Sequence, residues 1–163
     1  MKRRSYTNKP QPDPIFFVDR NLGKKQIVQL LRDEGFKVEA HDDHFSEDTP
    51  DTHWIPIVAK KKWVALTNDK CISRNSLEID AHMTAGGRAF TPKGKMHPLE
   101  FGRLIVQSRE RIFRYLKQAE KDGSGPFMSK LCFDQKSQDR AGHVEKWIDV
   151  EIWQIKILKR TKR

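Results

Sequence analysis

Cysteine is scarce in this chain: Cys71 and Cys132 are the only two in 163 residues, far apart and without a C-x-x-C pair. That usage excludes a disulfide framework and a four-cysteine zinc site, and it predicts reduced thiols. Long apolar runs are missing as well, since none approaches the roughly 18 residues that a membrane-spanning helix requires. The start, Met1-Lys2-Arg3-Arg4-Ser5-Tyr6, leads into polar, proline-containing sequence instead of an apolar signal core, so a soluble cytoplasmic protein is expected. Also absent are GxGxxG, a P-loop and GxSxG, which removes the sequence signatures of dinucleotide binding, nucleoside triphosphate binding and serine-hydrolase chemistry. No internal repeat is found.

Positive charge is what the chain has in excess, with 32 Lys and Arg against 22 Asp and Glu and a net charge of +10. Clustered cations gain affinity for phosphate by releasing counterions, so a polyanionic partner is expected. The charge is unevenly spread. Between Lys37 and His53 stand Glu39, Asp42, Asp43, Glu47, Asp48 and Asp51 against a single lysine, whereas Lys93 to Lys121 is predominantly basic. An acidic pocket inside a basic surface suits metal-dependent chemistry on nucleic acid, although a solvated charged surface has the same composition.

Residues 1–14, with three prolines, read as a mobile basic arm, and 15–163 as one domain with its core in 15–91. Apolar, β-branched and aromatic runs predict strands at Ile15–Val18, Phe36–Ala40, Trp63–Leu66 and Arg88–Thr91, with helices between them. This βαβαβαβ order predicts an α/β fold with a doubly wound parallel sheet and right-handed crossovers. Beyond it, helical spacing of Phe101, Leu104, Ile105, Ile112, Leu116 and Ala119 predicts one long helix from about His97 to Asp122. Its opposite face carries Arg103, Arg109, Arg114, Lys117 and Lys121. The extension closes with strands at Phe127–Phe133 and Trp147–Ile157, separated by a polar loop over Asp134–Lys146.

Two of the apolar strands lead directly to an aspartate, Asp19 and Asp69. In an open parallel sheet ligands bind beyond the carboxyl ends of the strands, so both carboxylates should reach one edge. Asp51, in the first turn of the helix feeding the third strand, faces the same edge; alone, it also fits a cap or first-turn acid worth about 1 kcal/mol. Three converging acids repel unless a cation compensates, and hard divalent ions such as Mg²⁺ take oxygen ligands. His41-Asp42-Asp43-His44 is a second dense cluster. Strand alternation sends its two histidines to opposite sides, so a shared histidine-bound metal is disfavoured, while Asp42 or Asp43 can complete a carboxylate site. Arg20, Lys24, Lys70 and Arg74 are near enough in sequence to contact phosphate. Asp19-Arg20-Asn21 lacks the second aspartate of haloacid-dehalogenase-type phosphatases.

Phe-Phe-Val-Asp19-Arg-Asn-Leu-Gly, His41-Asp42-Asp43-His44-Phe45, Thr49-Pro50-Asp51-Thr-His-Trp54 and Leu66-Thr67-Asn68-Asp69-Lys70-Cys-Ile72 together resemble the compact PIN-like branch of the PIN-domain ribonucleases, related to VapC toxins of toxin–antitoxin modules. The likeness is good over 15–91 and loose from there to about 147. It implies a metal-dependent endoribonuclease in which Asp19, Asp51 and Asp69 hold Mg²⁺ or Mn²⁺ and Thr67 or Asn68 orients the site or touches substrate. Asp42, Asp43 or Glu78 would supply a further acid. It also implies RNA as substrate and an antitoxin protein as partner; homodimerisation is left open. A non-catalytic nucleic-acid- or partner-binding domain on the same scaffold, with the acids as helix caps, is the alternative.

Overall fold

The computed structural model describes residues 12–23, 25–68, 76–123, 125–134 and 142–162. Residues 1–11 of the expected arm lie outside it, as do Lys24, Asp69, Lys70 and Arg74 of the expected site. In chain order the elements are β1 (Ile15–Val18), α1 (Gln26–Asp33), β2 (Lys37–Ala40), α2 (Asp51–Lys60), β3 (Val64–Leu66) and α3 (Ser76–Ala85). They continue with β4 (Arg88–Pro92), α4 (Pro98–Gln107), α5 (Arg109–Lys121), β5 (Phe127–Phe133), β6 (Gly142–Ile148) and α6 (Val150–Thr161).

The six strands form one sheet in the order β2-β1-β3-β4-β5-β6. The first five are parallel and β6 runs antiparallel to β5. Because β1 sits between β2 and β3, the chain leaves it first to one side and then to the other. The topological switch point, where open α/β sheets bind ligands, therefore falls at the carboxyl ends of β1 and β3.

Each face of the sheet has its own core. On one side Ile27, Val28 and Leu31 of α1 pack with Phe101, Leu104 and Ile105 of α4 and with Ile112 and Leu116 of α5 against Phe16, Val18 and Leu66. Helix α1 turns off at Gly35, whose φ of +81° is a left-handed conformation that glycine adopts without a Cβ clash. Gly102 has a different reason: a Cβ there would stand 2.9 Å from Leu30 Cδ2, so the bare backbone is what lets α4 lie close on α1. On the other side Trp54, Ile55 and Val58 of α2 and Ile79 and Met83 of α3 cover Phe17, Ala65 and Ala89. Burying a side chain of this size contributes on the order of 2–3 kcal/mol.

The C-terminal third departs from expectation in three ways. The single long helix is two helices, interrupted at Ser108, which is buried and whose Oγ accepts the Gly142 N–H at 2.7 Å. That hydrogen bond ties the α4–α5 corner to the start of β6. Part of the expected loop over Asp134–Lys146 is strand, since β6 begins at Gly142. The expected strand over Trp147–Ile157 ends at Ile148 and gives way to α6, because Asp149 caps a helix there: its Oδ1 accepts the Ile152 N–H at 2.9 Å. The same residues that alternate as Ile148, Val150 and Ile152 also place Val150 and Trp153 three apart, a helical spacing. Helix α6 is pinned to α3 by Asp80, which accepts from Trp153 Nε1 at 2.7 Å and from both terminal nitrogens of Arg160 at 2.9 and 3.2 Å. The Arg160 hydrogen bond is the main reason the Asp80 carboxyl titrates below its ordinary range.

Candidate metal centre

Asp19 leaves the end of β1 and Thr67 the end of β3, at the same level because Val18 is in register with Leu66. Main-chain bonds fix both positions. The Asp19 N–H donates to Leu66 O at 2.9 Å, and the Thr67 N–H donates to Phe90 O at 3.1 Å. The Thr67 hydroxyl then donates to Asp19 Oδ2 at 2.8 Å, and Asn21 Nδ2 approaches the same oxygen at 3.4 Å. Asp19 is only 2% exposed and Thr67 is fully buried. Thr67 is thus placed to orient Asp19, one of the two roles expected of it.

Asp51 is the first residue of α2. Its Oδ1 accepts the Trp54 indole N–H at 2.8 Å, and Trp54 is itself buried against Phe17, ring centroids 5.1 Å apart. The acid is therefore aimed by a residue of the core. Asp19, the N-cap of the 3₁₀ turn at Arg20–Leu22, makes no side-chain cap hydrogen bond there, whereas α2 has Pro50 at its N-cap and Asp51 as an acid in its first turn. Capping therefore does not account for Asp19, while the position of Asp51 also suits a first-turn acid that stabilises α2.

The Asp19 carboxyl titrates above its ordinary value. Burial is the main cause, the Thr67 hydrogen bond opposes it, and the negative charge of Asp51 adds to it. A carboxylate that is desolvated and faces a second carboxylate is a place where a cation gains energy. The donors available are hard oxygens, and they fit a divalent ion of the Mg²⁺ or Mn²⁺ kind.

The other candidates divide. Asp42 joins Asp19, Arg20 and His41 in lining a small cleft over β1 and β2. It lies 3.9 Å from Arg20 Nε, and Arg20 also pairs with Glu47 through the latter's carboxylate and its main-chain oxygen. Arg20, expected as a phosphate contact, is thereby engaged with two acids. Asp43 points elsewhere, 3.8 Å from Arg32. Glu78 is buried in the first turn of α3. Among the described residues neither Asp42, Asp43 nor Glu78 closes with Asp19 and Asp51 into a set of oxygens all within 4.8 Å of one another. Asn68 is half-buried after β3. Strand alternation does not govern His41 and His44, because β2 ends at Ala40 and His41–Asp43 is a 3₁₀ turn; both rings pack beside Phe45, at 5.5 and 6.3 Å, with His41 buried 6.1 Å from the Trp54 ring and His44 Nε2 2.7 Å from Glu39 Oε2.

Two features of the site region escaped the sequence reading. The Trp54–Asp51 bond has a signal in the i, i+3 spacing on α2. His82 has none. It is 2% exposed on α3, beside Trp54 at 6.3 Å, and neither ring nitrogen has a hydrogen-bond partner among the described residues. Burial lowers its pKa to about 4.

Residues 14–94 match the sequence model of a family described as "PIN like domain". A stretch of 78 residues, 45% of this chain, is 37% identical to "Putative ribonuclease VapC45" of Mycobacterium tuberculosis. The chain spans 56% of that relative's length. No solved structure matches.

Two outcomes follow for stability. In metal-free buffer Asp19→Asn should raise the melting temperature at neutral pH, because the stability tied to Asp19 is present when it is protonated and is lost as pH rises through its elevated pKa. Mg²⁺ should raise the melting temperature of the wild type by several degrees, each kcal/mol being worth roughly 2–4 °C at this size, and leave the variant unmoved. Identical melts with and without cation in both proteins would count against a metal centre. His82 works in the opposite direction, since it is held neutral in the fold while the unfolded chain takes up its proton near pH 6.5. Its contribution, about 3 kcal/mol, is complete above that pH and is lost on acidification toward pH 4. Denaturant unfolding of wild type and His82→Gln across this window should show the pH dependence flattened in the variant.

Proposed function

We propose, from the premise that this chain carries a PIN-like domain related to the VapC proteins, that it is a cytoplasmic metal-dependent endoribonuclease acting as the toxin of a toxin–antitoxin pair. The observation that carries the reading is the Asp19 carboxylate, buried at the switch point of a parallel sheet, its pKa raised by burial and by the charge of Asp51. Asp19, Asp51 and Asp69 would hold the divalent ion. When bound, such an ion lowers the pKa of a water and neutralises charge on the scissile phosphate. Thr67 fixes the rotamer of Asp19 by donating to Oδ2, which leaves Oδ1 for the cation. Trp54 does the same for Asp51, whose second oxygen is free of that bond. Asn68, Lys24, Lys70 and Arg74 flank these acids in sequence and would meet the RNA.

Incubation of a mixed RNA pool with and without Mg²⁺ or Mn²⁺ tests the activity. Cleavage should require the cation and should fall by more than about 100-fold in Asp19→Asn, whereas Thr67→Val should lose about 10- to 100-fold by loosening an outer partner of the site. Cleavage that persists in chelator, or equally in Asp19→Asn, would sink the reading. Cleavage absent in the wild type under all cations would favour the non-catalytic binding domain.

The basic helix surface narrows to fewer residues than its sequence suggests. The Arg109 guanidinium lies over the rings of Phe36 and Phe113 at 4.6 and 5.2 Å and donates to Glu34 O, so it serves packing. Arg103, Arg114, Lys117 and Lys121 are exposed. Reversing Arg114 and Lys117 to Glu should weaken RNA binding for all sequences alike and reduce the salt dependence by about one unit of slope per lost phosphate contact. If the surface instead receives the antitoxin, the same variant should cut RNA at the wild-type rate and resist inhibition by its partner. No change in any of the three readouts would make it a solvated surface.

A further inference from the structure

At the far edge of the sheet the antiparallel pairing of β5 and β6 sets Cys132 directly opposite His143, and Glu145 follows two residues later on the same face. The strands approach closely there: a Cβ on Gly142 would lie 2.5 Å from Cys132 O. One ligand atom from each of Cys132, His143 and Glu145 lies within 4.8 Å of the other two, and Cys132 Sγ is 3.6 Å from Glu145 Oε2. Among the described residues this is the group of three metal-ligating side chains that comes together.

We propose that Cys132, His143 and Glu145 form a binding site for a thiophilic divalent cation of the Zn²⁺ class, which clamps the edge strand β6 to β5. The donor set selects the metal. A thiolate and an imidazole are poor ligands for Mg²⁺ and suit Zn²⁺, and one carboxylate completes three of its four tetrahedral positions, leaving the last to water. Zn–S and Zn–N bonds of about 2.3 and 2.0 Å require donor atoms about 3.5 Å apart, so the trio must draw in by roughly 1 Å. Cys132 is buried and stays in place, while His143 is exposed and Glu145 half-exposed, free to rotate onto the ion.

In the metal-free protein a cation already sits on this carboxylate. Lys93, immediately after β4, places Nζ 2.6 Å from Glu145 Oε2. Its side chain is 56% exposed, so it can swing away as the ion enters. Burial first, and the Glu145 charge second, hold the Cys132 thiol protonated above its ordinary range, so binding must release that proton. The cluster lies at the carboxyl end of β5, with β3 and β4 separating that strand from β1 and Asp19. It stands independently of the nuclease reading.

Titrating the metal-free full chain with Co²⁺ tests the site. A thiolate-to-cobalt charge-transfer absorption should rise to one equivalent and be displaced by Zn²⁺. Cys132→Ala should abolish it, Cys71→Ser should keep it, and His143→Ala and Glu145→Gln should each weaken binding by at least about 10-fold. Lys93→Met, which removes the competing ammonium, should tighten it. Asp19→Asn should leave the band intact, which separates this outcome from any result at the carboxylate centre. A wild type without the band, a band that survives in Cys132→Ala, or unchanged affinity in both His143→Ala and Glu145→Gln would overturn the proposal. The last two changes fall on partly exposed side chains, so they decide the matter even if Cys132→Ala fails to fold.

Discussion

A carboxylate taken out of water is the constraint around which the described part of this chain is organised. Asp19 is placed by the backbone, since β1 lies at the sheet centre and the Asp19 N–H is fixed to Leu66 O. Moving it would disrupt the β1–β3 pairing. Thr67 and Asn21 supply what neutral hydrogen bonding is available to one of its oxygens, and Asp51 works against it. A net hydrogen bond contributes about 1 kcal/mol, while desolvating an ion costs several, so neutral donors cannot offset the burial. On the function proposed above, a divalent cation would offset it.

The core on one face of the sheet serves this arrangement directly. Phe17 on β1 and Trp54 on α2 pack with their rings tilted and their centroids 5.1 Å apart, and the same indole that fills the core donates to Asp51. Loss of Trp54 would therefore act twice, by opening a cavity that typically costs about 3–5 kcal/mol and by releasing the acid. His82 completes the wall behind this indole, and its neutrality is the consequence of burial. The opposite core, built from α1, α4 and α5, holds the sheet and reaches the cleft at Asp19 through Val28.

The parallel core was legible because its signals are redundant. Fully buried strands such as Phe16–Val18 and Val64–Leu66 read as apolar runs, Gly35 marks a helix end through its positive φ, and the strand-end acids follow from topology once the strands are placed. Asp19 and Asp51 could be put on one edge from topology, Thr67 entered only through the family resemblance, and Asp69 lies outside the described residues. Pairings across loops could not: Arg20 with Glu47, Asp43 with Arg32 and Arg109 over Phe36 depend on side-chain reach between elements. In the C-terminal third, Ile148-Asp149-Val150-Glu151-Ile152 satisfies both periods, and what decided for helix was the Asp149 cap and the Asp80 anchor on α3. The Ser108 break was hidden because helical spacing continues through it and the cause lies in Gly142, on another element. With β6 read as loop, Cys132 and His143 had no reason to meet.

Carboxyl-carbon NMR of Asp19, titrated from acid to neutral pH without and with Mg²⁺, reaches the central claim most directly. The account predicts a pKa above the ordinary aspartate value in metal-free protein, falling well below it when the cation is present. An Asp19 that titrates normally, or whose pKa Mg²⁺ leaves unchanged, would contradict the claim that this buried charge is kept for a metal ion.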